Sequence, residues 1–355
     1  MKRFTYLFSL TLTAFILAAA VIIGCEGPAG PAGAAGADGK DGIDGTDGVD
    51  ANATCTECHN EDSDVFVKSL QTGNSKHMTG GAFERSDADC AACHTHEGFL
   101  DRMESGEMEA SADIKQPSPP QCRTCHKIHI NYDASDFAIR YPDPVELWIN
   151  SVTVDLGVSN MCANCHQPRI PEPMYVIGGD SIDIDNMRWG PHHGPQSAML
   201  YGTSAYEVAG SVSYPTPGGT THASAGCTQC HMPDAYGNQA GGHTFAMSYE
   251  YHGSEEDWVA GCTDCHSTIE DFDYNGVQTQ VSTLLDSLHH VLMNEGLLDE
   301  DGYLVADDDA PLRVSPEEAG FLYNFKFIEE DLSMGVHNPG YAMALLKNSL
   351  EALSN

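Results

Sequence analysis

The chain repeats one five-residue pattern, Cys-x-x-Cys-His, six times. The copies are Cys55-Thr-Glu-Cys58-His59, Cys90-Ala-Ala-Cys93-His94, Cys122-Arg-Thr-Cys125-His126, Cys162-Ala-Asn-Cys165-His166, Cys227-Thr-Gln-Cys230-His231 and Cys262-Thr-Asp-Cys265-His266. Each cysteine pair can form thioethers to the two vinyl groups of a haem, and the adjacent histidine can supply the proximal nitrogen to iron. A random chain of this composition would hold on the order of a few hundredths of one such motif. The motifs use twelve of the thirteen cysteines, leaving none for a structural disulfide. A disulfide framework, a redox dithiol or zinc sites would not explain why histidine follows every second cysteine. The pattern implies six covalent haems c.

Eleven further histidines remain: His77, His96, His129, His192, His193, His222, His243, His252, His289, His290 and His337. Two axial nitrogens per iron require six of them, so bis-His ligation is the expectation. His129 follows His126 by three residues, near enough to reach a neighbouring haem but not its own, and His96 is similarly close to His94. His243 follows Gly241-Gly242, where missing Cβ atoms would let backbone approach a porphyrin. His337 is bracketed by Gly335 and Pro339, and His77 and His222 each precede a motif in polar surroundings. His192 and His193 are adjacent, so one of them serves a given iron, and His192 is favoured. Seven candidates thus stand for the six distal positions: His77, His96, His129, His192, His222, His243 and His337. His252, His289 and His290 read as surface, propionate-contacting or helix-packing residues. Met161, Met232 and Met247 lie near motifs or glycine turns, but methionine more often fills gaps in a core.

Several stretches resemble the multihaem cytochromes of dissimilatory metal-reducing and related bacteria over roughly residues 120–350. They are Cys122-Arg-Thr-Cys-His-Lys-Ile-His129, Asn160-Met-Cys-Ala-Asn-Cys-His-Gln-Pro-Arg169, His192-His-Gly-Pro-Gln196, Cys227-Thr-Gln-Cys-His-Met-Pro233, Gly241-Gly-His-Thr-Phe245 and Gly335-Val-His-Asn-Pro-Gly-Tyr-Ala342. The resemblance implies closely stacked haem pairs and electron conduction to an extracellular acceptor. It also implies distal roles for His129, His192 or His193, His243 and His337. Some relatives form filaments. The fold expected is a multihaem cytochrome c: mostly loops and short α-helices wrapped around stacked haems, a minor β-hairpin and a helical C-terminal part.

The elements that must position these residues follow in chain order. Residues 1–24, a basic start and an apolar run, read as a lipoprotein signal peptide with Cys25 as the acylated residue. Residues 25–52 carry glycine at every third position from Gly27 to Gly48, the collagen period. They are read as a flexible spacer, with a short trimerising stem as the alternative. Residues 53–270 form the haem-binding region, whose loops are rich in Gly, Pro, Asp and Asn. Its buried apolar surface is expected to come largely from the porphyrins. Val145 to Leu156 has period-two apolar positions broken near Asn150-Ser151, so a hairpin covering one haem face is predicted there. Residues 271–355 change character. Apolar positions from Val277 to Leu292 recur with helical period, predicting a helix over 277–297. Ser315-Pro316-Glu317-Glu318 is a capping signature for a second helix ending near Met334-Gly335, and a third runs from Pro339 to about Leu353. His337 falls in the link between the last two.

Lys plus Arg number 16 against 52 Asp plus Glu, a formal net charge of −36. Nucleic acid is excluded as a partner, and an anionic membrane surface would repel the protein, so membrane association relies on the lipid at Cys25. The acidic runs Asp38–Asp50 and Asp307–Asp309 could bind Ca²⁺, but they show no coordination loop of defined spacing, and solvated surface is the favoured reading. The function read from the sequence is serial electron transfer at the outer membrane or cell surface, with a periplasm-facing position as the alternative. Redox partner cytochromes and extracellular acceptors such as metal oxides are the expected partners, with filament or trimer self-association compatible. The competing class is a multihaem reductase of nitrite or hydroxylamine, in which Arg169 and Tyr175, or Arg188, line one open haem. The pentahaem ammonia-forming enzymes resemble the chain around His231-Met-Pro and Gly242-His-Thr-Phe245, but their catalytic haem uses a Cys-x-x-Cys-Lys motif, and none occurs here.

Overall fold

Short helices separated by loops account for most of the chain in a computed structural model that describes Cys55, Thr56 and residues 58–354. The signal-like segment, Cys25 and the glycine-repeat spacer lie outside the described residues. In the first half, α1 (Asp64–Asn74) starts at Ser63, whose hydroxyl accepts the Phe66 N–H, and α2 (Lys76–Thr79) follows at once. Next, α3 (Ala88–His94) and α4 (His96–Ser105) are separated only by Thr95, which ends one helix and caps the next by accepting the Gly98 N–H. Four more short helices are α5 (Cys122–Cys125), α6 (Asn160–Ala163), α7 (Gln196–Tyr201) and α8 (Thr221–His231).

The three C-terminal helices are α9 (Val277–Asn294), α10 (Pro316–Asp331) and α11 (Pro339–Leu353). The predicted capping box exists: Ser315 accepts the Glu318 N–H, while the Glu318 carboxylate accepts from Ser315. Helix α10 ends earlier than the sequence suggests, because Leu332 turns left-handed at φ 62° and closes it. Its buried residues include Phe321, Leu322, Tyr323, Phe325, Phe327 and Ile328, which point to several faces. A helix apolar all round is an interior helix, and α10 packs against α7, α9, α11 and a strand. Two buried asparagines secure the chain across it. Asn324 accepts the Tyr206 N–H and donates to the Tyr206 carbonyl, both at 2.8 Å. Asn348 on α11 does the same with Val212, at 3.0 and 2.9 Å.

Three small antiparallel pairs complete the fold. Strands β1 (Val145–Glu146) and β2 (Thr153–Val154) pair, as do β3 (Ile182–Ile184) with β6 (Leu312–Val314), and β4 (Ser248–Tyr251) with β5 (Ser254–Asp257). The predicted hairpin at Val145 is therefore present, but its expected burden differs. Val145, Leu147, Val154 and Leu156 join Ile184, Trp189 and the apolar faces of α9, α10 and α11 in one side-chain core. Residues 145–200 and 281–346 thus share a side-chain core.

Candidate functional site

Each Cys-x-x-Cys-His motif is built as one helical turn. The histidine N–H donates to the carbonyl of the first cysteine in the first, third, fourth and sixth copies, at 2.7, 2.9, 3.0 and 2.8 Å. The second and fifth copies end helices α3 and α8. Residues three apart on a turn share a face, so both thiols of a copy emerge together, with the histidine one residue further round. All twelve motif cysteines are unbridged.

Opposite every motif histidine stands a second imidazole from a distant part of the chain. The pairs are His59 with His129, His94 with His192, His126 with His243, His166 with His77, His231 with His337 and His266 with His222. Their ring centres are 5.9, 6.2, 6.3, 6.1, 6.3 and 6.1 Å apart in that order. A metal–imidazole bond is about 2 Å and the ring centre lies about 1.1 Å beyond the nitrogen, so imidazoles on opposite sides of one ion are centred roughly 6.2 Å apart. The donor set thus fits the two axial positions of six haem irons. Among the described residues no three His, Cys, Asp or Glu side chains converge as a metal-binding group. Two protein nitrogens per centre is what an iron needs when a macrocycle supplies the other four. Asp307, in the acidic run considered for Ca²⁺, uses its carboxylate to accept the Asp309 and Ala310 N–H groups at 2.8 Å.

Hydrogen bonds at the other ring nitrogen hold five of these imidazoles. Nδ1 of His126 lies 2.7 Å from the Phe137 carbonyl, that of His222 2.8 Å from the Val336 carbonyl, and that of His231 3.1 Å from the Phe245 carbonyl. A carbonyl only accepts, so Nδ1 donates and Nε2 keeps its lone pair for a metal. His166 Nδ1 is 3.2 Å from Gln196 Oε1, and His337 Nδ1 is 2.7 Å from Asp331 Oδ1. Burial, reinforced by the neighbouring His193 and His126 respectively, pushes His192 and His243 down to about 4, which keeps both neutral as ligation requires. For His337 burial works in the same direction, but the Asp331 carboxylate outweighs it and raises the pKa.

Backbone geometry aims two partners. His129 and His192 sit at φ 65° and 62°, a left-handed conformation that histidine adopts more often than most residues. The His129 turn is organised by buried Asp136, whose carboxylate accepts the N–H groups of His129, Ile130, Asn131 and Tyr132 at 2.7–3.2 Å. Gly241 and Gly242 also have positive φ, but the atoms crowding them are protein rather than open space for a macrocycle. A Cβ would meet Trp258 Nε1 at 2.8 Å in one and Gln71 Oε1 at 2.6 Å in the other.

His96 departs from the expected set. As the first residue of α4 it is carried toward the third motif, where its Nδ1 lies 2.8 Å from Thr124 Oγ1. Among the described residues it faces no motif imidazole. His193, the alternative to His192, binds Glu330 at 2.5 Å. His289 bonds the Asp299 carbonyl and stacks on Phe325, a helix-packing role, and Met161 is buried. Of the residues considered for an open haem, Arg169 faces Asp89 at 3.8 Å and Tyr175 is buried against Trp189 and Tyr323. The Arg188 N–H bonds Asn186. Sequence reasoning missed Asp136, Gln196, Asp331 and the carbonyl acceptors. Asp331 lies six residues before His337, a spacing that pointed to nothing until Leu332 closed the helix between them.

The motif turns also pack on one another. Arg102 Nη1 donates to the Asn164 carbonyl at 3.0 Å, joining the α4 segment after the second motif to the fourth, while His96 and Thr124 join that segment to the third. The Thr228 N–H donates to Ser159 Oγ at 3.1 Å, tying the fifth motif to the start of the fourth. A Cβ on Gly261, beside the sixth motif, would collide with the Gln229 carbonyl and stand 3.0 Å from Cys230 Cα in the fifth.

No protein-family model and no curated protein matches the chain. Among solved structures it is similar to the crystal structure of the outer cell wall cytochrome OcwA, at 19% identity and a TM-score of 0.48. That match covers 81% of this chain and 49% of the other, so the chain spans about half of that protein's length.

Proposed function

We propose that this chain is a hexahaem c-type cytochrome that relays electrons at the cell surface toward extracellular acceptors such as metal oxides. The observation that carries the reading is the six imidazole pairs with ring centres 5.9–6.3 Å apart, each joining a motif histidine to a remote partner. Bound haem supplies a one-electron couple at each pair. The chain's own residues do the rest. The paired cysteines of each motif would hold a haem through thioethers, and the two histidines of each pair would ligate its iron. Acceptors at Nδ1 restrain five of the twelve rings and would limit the change of ligand geometry between oxidation states there. With both positions held by protein, no site is left for substrate, which favours a relay over bond chemistry. The packing of the second to sixth motifs on one another supports a path through those five. An acylated Cys25 with the glycine-repeat spacer would hold the relay at the outer membrane, where redox partner cytochromes donate and a filament or trimer could form.

Electron paramagnetic resonance and mass spectrometry on the purified full chain test this. The mass should exceed that of the processed polypeptide by about 3.7 kDa, at about 0.6 kDa per haem. The ferric protein should be entirely low-spin and unresponsive to cyanide, nitrite or hydroxylamine. Two line shapes are expected, because ring planes cross at 34–42° in three pairs and at 71–87° in the other three. Near-perpendicular ligand planes leave two iron d orbitals almost equal in energy and broaden the anisotropy. A substantial high-spin signal with multiturnover nitrite or hydroxylamine reduction would make the protein a reductase instead.

A further inference from the structure

Of the five ring nitrogens held by a hydrogen bond within the six pairs, four meet neutral acceptors: three backbone carbonyls and the Gln196 amide. The fifth, Nδ1 of His337, meets the carboxylate of Asp331 at 2.7 Å. Their side chains are 21% and 1% exposed, so the contact is nearly dry and weakly screened. The other Asp331 oxygen accepts from the Ser333 hydroxyl, and the same hydroxyl accepts the His337 N–H at 3.2 Å.

Asp331 is badly placed for stability alone. It is the last residue of α10, where the helix dipole is negative and repels an acid. Burying a carboxylate also costs free energy unless it is paired. An asparagine would keep one acceptor oxygen without the charge, but its amide nitrogen only donates and could not accept from the second partner.

We propose that Asp331 is a positioning and tuning residue for the centre formed by His231 and His337, holding its reduction potential below the value a neutral acceptor would give. The inference rests on reading those two histidines as an axial pair. A carboxylate accepting from Nδ1–H pushes electron density toward Nε2 and makes the ring a stronger donor. A stronger donor and a nearby negative charge both favour the ferric state. The other centres with known Nδ1 acceptors lack this, so the relay is built from unlike steps.

The test is a spectroelectrochemical titration of the full six-haem protein. In Asp331→Asn one of the six components should move to higher potential while the other five stay in place. Altered supporting groups around metal ligands typically cost 10–100-fold in metal affinity or activity; a tenfold change in the ferric–ferrous equilibrium would read as about 59 mV for one electron. Asp331→Glu should restore most of the parent value. Ser333→Ala supplies the opposite sign: it removes a competing donor, leaves the charge to His337, and should lower the same component. General loosening of the link would move that component the same way in both variants. Equal-sign shifts, or titrations that superimpose on the parent, overturn the proposal; if Asp331→Asn does not fold, the Ser333→Ala direction decides alone. Loss of a haem by mass, or a high-spin centre in the parent protein, would strike the axial-pair reading rather than this one.

Discussion

Two histidines that look alike in sequence should respond differently to replacement. His129→Ala removes the ring opposite His59, so one of six centres should lose an axial nitrogen and appear as a high-spin, cyanide-binding species. His96→Ala should leave all centres low-spin, because that ring is engaged with Thr124. Optical titration with cyanide reads both, and a cyanide-binding centre in His96→Ala would show that the pairing has been misread. Asp136→Ala should imitate His129→Ala in part. Its carboxylate collects four backbone N–H groups of the turn that carries His129. Burial alone would raise the Asp136 pKa, and those donors outweigh it and hold it low. The placement of the His129 ring is therefore set by a residue outside the imidazole pair.

The C-terminal helices are where stability and site meet, since α10 and α11 present His337 from the link between them. Leu322 on α10 is fully buried, and Leu332 just past its end is 75% exposed with φ 62°. Leu322→Ala should destabilise by about 2–5 kcal/mol through lost transfer energy and the cavity left behind. Leu332→Gly should be neutral or stabilise by up to about 1 kcal/mol, because glycine adopts that backbone region without strain. Thermal unfolding of the two haem-loaded variants gives the comparison, and equal melting temperatures would contradict the description of the core. The hairpin at Val145 belongs to the same core, so softening it should also loosen α10.

At the level of the whole molecule the formal charge of −36 governs encounter. Reduction by a small cationic complex should slow as ionic strength rises, and reduction by an anionic reagent should quicken, because salt screens attraction in one case and repulsion in the other. Stopped-flow rates between low salt and about 0.15 M, where the screening length is about 8 Å, measure both slopes. Slopes of the same sign would mean that a local patch, rather than the net field, receives the donor.

The attachment turns were legible in the sequence because their chemistry is local. Cysteines three residues apart and the next histidine fall within one turn, whatever the rest of the chain does. The capping box at Ser315 and the last helix at Pro339 were legible for the same reason, being set by neighbouring residues. The facing imidazoles were not. His77 opposite His166 and His126 opposite His243 are contacts between segments brought together by packing, and residue type alone could not separate His96 from His129. That choice was made by Thr95, which starts α4 and directs His96 to Thr124, and by Asp136, which folds the chain so that His129 faces His59. Composition and spacing determined how many Cys-x-x-Cys-His turns the chain carries. Only the tertiary structure decided which remote histidine meets which motif and which one leans on a buried carboxylate, because those depend on where helices end and which faces their cores bury.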